Sequence, residues 1–143
     1  MPRRVPNIDE WIEASQRRAL LRVLGVRGSG IGEGWAEYTV VPTEASTDGR
    51  GSVSSFAATI AADMGVLAAA TTTLDTAIEE NNGTAELSLT HVLPPTGALL
   101  VRCEVAGAGP YMRVVQMTVR DERGVVTAHG RATYAVRPKR LPA

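Results

Sequence analysis

The sequence predicts an α+β fold in which one curved antiparallel sheet wraps around a long central helix, with an extra helix at the N-terminus. Three observations lead there. Residues 53–70 are an alanine-rich apolar run whose larger side chains recur at helical spacing. From residue 84 the apolar period changes to two and keeps that period through four stretches. Short Gly- or Pro-containing segments join those stretches, and no strand–helix–strand alternation occurs, so antiparallel pairing is expected. A helix laid on a sheet is the simplest way to bury both apolar faces.

The chain of 143 residues is long enough for one domain with one core. Its composition, 44% hydrophobic and 21% charged, is that of a globular protein. Fifteen basic residues balance fifteen acidic ones, so no overall field draws nucleic acid or an anionic membrane. The one cysteine, Cys103, excludes an internal disulfide and a cysteine-based zinc site. No cofactor is expected, and no two-His or Cys/His cluster suggests a metal. The longest apolar run is interrupted by Asp63 and makes a poor membrane span. The N-terminus lacks the apolar core of a secretory signal, which leaves the cytoplasm as the expected address.

In chain order, residues 7–24 read as an amphipathic helix. Asn7 is placed to cap it, with Glu10 three residues on, and Ile8, Trp11, Ile12, Leu20, Val23 and Leu24 recur at its spacing. The five glycines of residues 25–34 suggest a turn or an irregular strand edge; no helix pattern follows them, which excludes a dinucleotide loop. Residues 35–41 are a strand ended by Pro42.

The central helix, over 53–70, carries Phe56, Ile60, Met64 and Leu67 on one stripe, and Asp63 falls on that stripe. A carboxylate on a face meant for burial destabilises unless it is satisfied, so Asp63 is a candidate site. The alternatives are a structurally bonded Asp or a helix rotated to put it at the edge. Residues 74–80 suggest a further short turn of helix, and Asn81, Asn82 and Gly83 a stop.

Strands are then expected over 84–93, 99–105, 111–121 and 126–136. In the first, Ala85, Leu87 and Leu89 alternate with Thr84, Glu86 and Ser88. The basic end, residues 137–143, reads as a frayed tail. A single open sheet leaves edge strands that need cover, which favours a homodimer by edge-to-edge pairing, and after it a dimer of dimers.

These motifs in this order resemble the hotdog fold, specifically the PaaI-type (phenylacetate-pathway, 4-hydroxybenzoyl-CoA thioesterase-like) branch of its acyl-CoA thioesterases. The resemblance spans residues 24–136. In that family an Asn or Gln, a Gly and a His-Gly-Gly run precede a helix with a catalytic Asp or Glu. Here Asp63 matches the carboxylate, Gly51 the glycine, and Asp48 the Asn or Gln position, while Ser54, Ser55 and Phe56 replace His-Gly-Gly. GTAELSLTHVLPPTG is similar to the family's strand and Pro-Gly turn, with Thr84 where some members place a Ser or Thr near the attacking water. RDERGVVTAHGRATYAV is similar to its closing hairpin.

The resemblance implies a thioesterase acting on acyl-CoA or an acyl-carrier thioester at a dimer interface, with CoA entering only as part of the substrate. Asp63 would serve as base or nucleophile. The Ser55 amide at the helix N-terminus would hold the oxyanion. Asp48 reads two ways, as a second carboxylate facing the same cavity or as the turn residue of an Asp-Gly turn. The replaced motif also keeps open a non-hydrolytic hotdog protein binding an acyl or aromatic ligand, and a purely structural subunit. A serine nucleophile at Ser54 or Ser55 lacks a histidine base placed by sequence. A dehydratase lacks its histidine before the helix. His91 and His129 read as surface or interface residues. Arg113, Arg137, Lys139 and Arg140 read as solvated charge, or as partners of a CoA nucleotide.

Overall fold

A computed structural model describes residues 5–140. The N-terminal helical stretch is two helices, α1 (Ile8–Gln16) and α2 (Ala19–Leu24). Asn7 Oδ1 caps α1, accepting from the N–H groups of Asp9 and Glu10 at 2.9 and 3.3 Å. The break at Arg17 and Arg18 contains neither Gly nor Pro; Arg18 is extended at φ −82°, ψ 115°. Packing forces it. Trp11 of α1 presses against Gly28, where a Cβ would stand 2.6 Å from the indole, and Leu21 and Leu24 of α2 turn into the core. Arg22 Nη1 donates to the Gln16 carbonyl at 2.7 Å and satisfies the broken end.

The glycine-rich stretch forms strand β1 (Val26–Gly32), paired with β2 (Trp35–Val40). The long helix α3 (Ser55–Thr71) follows, and then β3 (Glu79–His91), β4 (Leu99–Ala108), β5 (Met112–Asp121) and β6 (Val126–Pro138). The described strands make one antiparallel sheet in the order β1-β2-β4-β5-β6-β3. The meander of β4, β5 and β6 is the one expected. β3 does not pair with β4: it joins β6 at the far edge, and residues 92–98 cross over the end of the sheet.

β3 begins at Glu79, so the expected stop at residues 81–83 is a bulge inside a strand, with Gly83 at φ 96°. Before it, residues 75–79 make one turn, the Glu79 N–H reaching the Asp75 carbonyl at 2.7 Å.

Helix α3 lies on the sheet through its smallest side chains. Ala57, Ala58, Ala61, Ala62 and Ala69 are buried, and a Cβ on Gly65 would stand 2.5 Å from Cys103 Sγ. The stripe expected to be buried, Phe56, Ile60, Met64 and Leu67, instead faces outward or sideways; Phe56 is 52% exposed. Small residues allow the closest helix–sheet approach, and so the alanine face wins the core. Cys103 is enclosed there, its Sγ donating to the Ala62 carbonyl at 3.5 Å, and burial pushes its thiol up to about 12.

Two charged locks hold the ends. Arg113, expected in solvent, is 5% exposed. It pairs with Glu79 Oε2 at 3.0 Å and donates to Thr73 Oγ1 at 2.9 Å and to the Gly109 carbonyl at 2.8 Å, tying β5 to the end of α3 and the start of β3. No guanidinium nitrogen is left for a nucleotide. The expected tail is structured as far as it is described: Arg137 in β6 pairs with Glu80 at 2.7 Å, and the Lys139 N–H bonds the Ile78 carbonyl at 2.8 Å. Residues 141–143 lie outside the described residues.

At the opposite end Asp121 has no exposed side-chain surface. Its carboxylate accepts from the Arg123 guanidinium at 2.7 Å and from the N–H groups of Thr96, Arg123 and Val125. The Arg123 contact first, and then those amides, hold its carboxyl down to about 2. A depressed folded-state value stabilises above the unfolded value, about 3.9, and that stabilisation fades as pH falls from there through the folded value. Asp121→Asn is therefore expected to lower the melting temperature at neutral pH and to flatten its decline between pH 4 and 2. Parallel melting curves of both proteins across that range check this.

Candidate functional site

The residues singled out by sequence fall into two clusters. The first is centred on Asp63, at the middle of α3. Its side chain stands on the exposed side of the helix, not inside the single chain. Thr84 Oγ1 on β3 donates to Asp63 Oδ1 at 2.8 Å. That contact depends on a bulge. Pairing passes from Thr84 with Tyr134 to Glu86 with Thr133, which leaves Ala85 unpaired. The strict alternation expected there would have put Thr84 on the face opposite Leu87. The extra residue turns Thr84 toward the helix while Leu87 and Leu89 keep theirs inward. Around the pair runs an open groove of about 520 Å³, lined by Arg18, Leu20, Thr59, Ile60, Met64 and Leu87 among others.

The second cluster surrounds the N-terminus of α3. Ser54 is its N-cap residue, but its side chain makes no capping bond and so leaves the first amides of the helix, beginning with Ser55, uncapped by it. Ser54 Oγ is buried without a hydrogen-bond partner. A cavity of about 360 Å³ opens there, lined by Ser54, Ser55, Asp48, His91, Leu93 and Pro95 among others. Sequence reading missed His91, which reaches the cavity from the end of β3; no local signal links positions 37 residues apart.

Asp48 lines this cavity but is engaged as a turn residue, as one of its two readings had it. Its Oδ1 accepts from the N–H groups of Arg50 at 2.7 Å and Ser52 at 3.3 Å. It does not share the groove of Asp63. His129 is exposed on β6.

Eight residues of helix separate Ser55 from Asp63, a rise of roughly 12 Å. One carbonyl cannot meet both groups within a single chain. Asp63 lies on the exposed side of α3, bonded to β3, which forms a free edge of the sheet among the described residues, and the Ser54 cavity lies at the N-terminal end of α3 beside buried Ala58 and Val119. Among the described residues no group of three or more His, Cys, Asp or Glu side chains is placed to hold a metal ion, and no helix is long and apolar enough to cross a membrane.

No protein-family model matches the chain, and no curated protein sequence matches it. Solved structures do. A mutant of a Pseudomonas aeruginosa thioesterase superposes with a TM-score of 0.83 at 19% identity, over 96% of this chain and 99% of that one. A Haemophilus influenzae thioesterase gives 0.82 at 17%, over 96% and 94%. Zebra fish thioesterase superfamily member 2 gives 0.76 at 16%, over 91% and 98%. The shared plan of a six-stranded antiparallel sheet packed against a long helix identifies this chain's fold as the hotdog fold.

Proposed function

We propose that the protein hydrolyses an acyl thioester, carried on CoA or on an acyl carrier, at a site that two copies of the chain build together. The observation that carries this reading is the Thr84–Asp63 hydrogen bond. It fixes one carboxylate oxygen of a side chain that lines an open, largely apolar groove. In this reading β3 of each copy pairs along its free edge with the other, which removes the exposed edge and sets the two α3 helices side by side. Asp63 of one subunit then faces Ser55 of the partner subunit.

The chemistry follows from those two groups. Water attacks the thioester carbonyl carbon while Asp63 takes its proton, and the new C–O bond leaves an oxyanion. The Ser55 amide, at the positive end of the helix, stabilises that oxyanion. Collapse breaks the C–S bond, and the proton returns from Asp63 to the departing sulfur. Ser54 and Asp48 shape the cavity around the helix end, Asp48 by holding its turn. Structural relatives support the assignment. In one Staphylococcus aureus thioesterase a glutamine and a glutamate fifteen residues apart were each replaced by alanine, and Asp48 and Asp63 stand fifteen apart here.

A second reading is a hotdog module that binds an acyl or aromatic ligand without hydrolysis. The engagement of the Asp48 carboxylate with the amides of Arg50 and Ser52 favours it, because that side chain is already occupied. Thiol release over a panel of short, medium, long and aryl acyl-CoAs and an acyl carrier separates the two. Turnover of at least one thioester is expected; none on any member overturns hydrolysis in favour of binding.

A further inference from the structure

Ser54 is satisfied at every polar atom but one. Its N–H donates to the Ser46 carbonyl at 2.7 Å, and its carbonyl accepts the Ala58 N–H at 3.2 Å in the first turn of α3. Its hydroxyl is buried and has no partner among the described residues. A serine that begins a helix ordinarily turns its oxygen back to accept from the helix amides. This one does not. Two serines of the same loop are engaged: Ser46 Oγ accepts the Thr43 N–H at 2.9 Å, and Ser52 Oγ donates to the Pro95 carbonyl at 2.8 Å. A buried hydroxyl left without a partner costs stability and calls for a reason.

The backbone that carries it is fixed. Thr43 Oγ1 donates to the Val23 carbonyl at 2.6 Å and ties the loop to the end of α2. Thr47 bridges to Val53, and Ser46 has no exposed surface. The freedom left to the hydroxyl is rotation about its Cα–Cβ bond. Ser54 and Ser55 both line the cavity of about 360 Å³. The two residues share a peptide unit, which puts the Ser54 hydroxyl and the Ser55 N–H within reach of one oxygen atom.

We propose that the Ser54 hydroxyl is the second donor to the thioester oxyanion, beside the Ser55 amide. The proposal rests on the hydrolase reading for the oxyanion, but not for a hydrogen bond to a bound carbonyl. The hydroxyl donates and keeps its proton; Asp63 carries the proton that passes from water to sulfur. A donor with no acceptor in the resting protein breaks no hydrogen bond when it turns to the growing charge. That is the preorganisation electrostatic stabilisation requires. Its cost is met in folding, as at other functional sites that break a local rule.

Kinetics and a melting curve test this together. Ser54→Ala is expected to lower kcat at least about tenfold with KM unchanged and no fall in melting temperature, since it removes an unpaired buried oxygen. Ser54→Thr keeps the hydroxyl and is expected to recover most of that loss; Ser54→Val, of the same shape as Thr, is expected to recover none. An unchanged kcat in Ser54→Ala overturns the proposal, and so do equal rates in the Thr and Val proteins. The Thr and Val pair carries the test should Ser54→Ala fail to fold. A second measurement needs no turnover. In ketone analogues of octanoyl-CoA and benzoyl-CoA a methylene replaces the sulfur, so they bind without hydrolysis. Their carbonyl carbon, labelled with carbon-13, is expected to move downfield on binding of at least one analogue, and Ser54→Ala is expected to reduce that shift. No downfield shift with either analogue, or one that Ser54→Ala leaves whole, overturns the proposal. A shift that depends on Ser54, in a protein that turns over no thioester, supports the donor and removes the hydrolase reading instead.

Discussion

Asp63→Asn is expected to abolish thioester turnover while leaving the fold intact. Asparagine has the same shape, and its amide oxygen still accepts from Thr84 Oγ1, now 2.8 Å from Asp63 Oδ1. What it lacks is the basicity to take a proton from water. A positioned general base contributes roughly 100- to 10,000-fold, so kcat should fall by at least about 100-fold with little change in melting temperature. Asp63 is exposed in the single chain, so its loss removes no core contact. Thiol release with purified protein, next to a thermal melt, checks both halves. A variant that keeps wild-type kcat ends the role of Asp63.

Ser55→Pro is expected to remove the other half of the site. Ser55 is the first residue of α3, the one helical position where proline is well tolerated, because its N–H has no partner within the helix. Ser54 before it is extended at φ −67°, ψ 155°, as a residue preceding proline prefers. The substitution thus deletes the amide aimed at the oxyanion with little harm to the helix. Loss of one such donor costs about 100- to 1,000-fold in kcat. Co-expressing Asp63→Asn and Ser55→Pro chains then tests where the site lies. In a mixed dimer one of the two sites has an intact Asp63 and an intact Ser55, so random pairing should restore about a quarter of wild-type activity. No recovery, with mixed dimers verified, means that the two groups do not work across an interface.

Much of this architecture is legible in the sequence, because it is written in local periods. The period of two over residues 99–105, 111–121 and 126–136 places the meander, and Leu99, Val101 and Cys103 are buried as the alternation requires. The run around Ala57 to Ala70 places the helix. The order of motifs carries the resemblance to the hotdog fold at less than 20% identity to the superposed thioesterases cited above. Local patterns failed where a long-range contact competed with them. The stripe of Phe56, Ile60, Met64 and Leu67 has the stronger hydrophobicity, yet the sheet accepts the alanine face because Gly65 and Cys103 set the closest approach. The N-terminal helix breaks at Arg17 and Arg18 because Trp11 and Leu24 must reach different parts of the sheet.

By itself the sequence determined the long central helix, the strands from β4 to β6, their antiparallel character and the two acids worth attention, since each depends on residues near one another in the chain. Tertiary structure alone decided that Asp48 serves a turn, that Arg113 is a buried lock, that His91 joins Ser54, and that the Ala85 bulge brings Thr84 onto Asp63. The physical reason is the same in each case. Which face a side chain takes depends on register and crossover, and one unpaired residue in a strand reverses that face without changing the local pattern that precedes it.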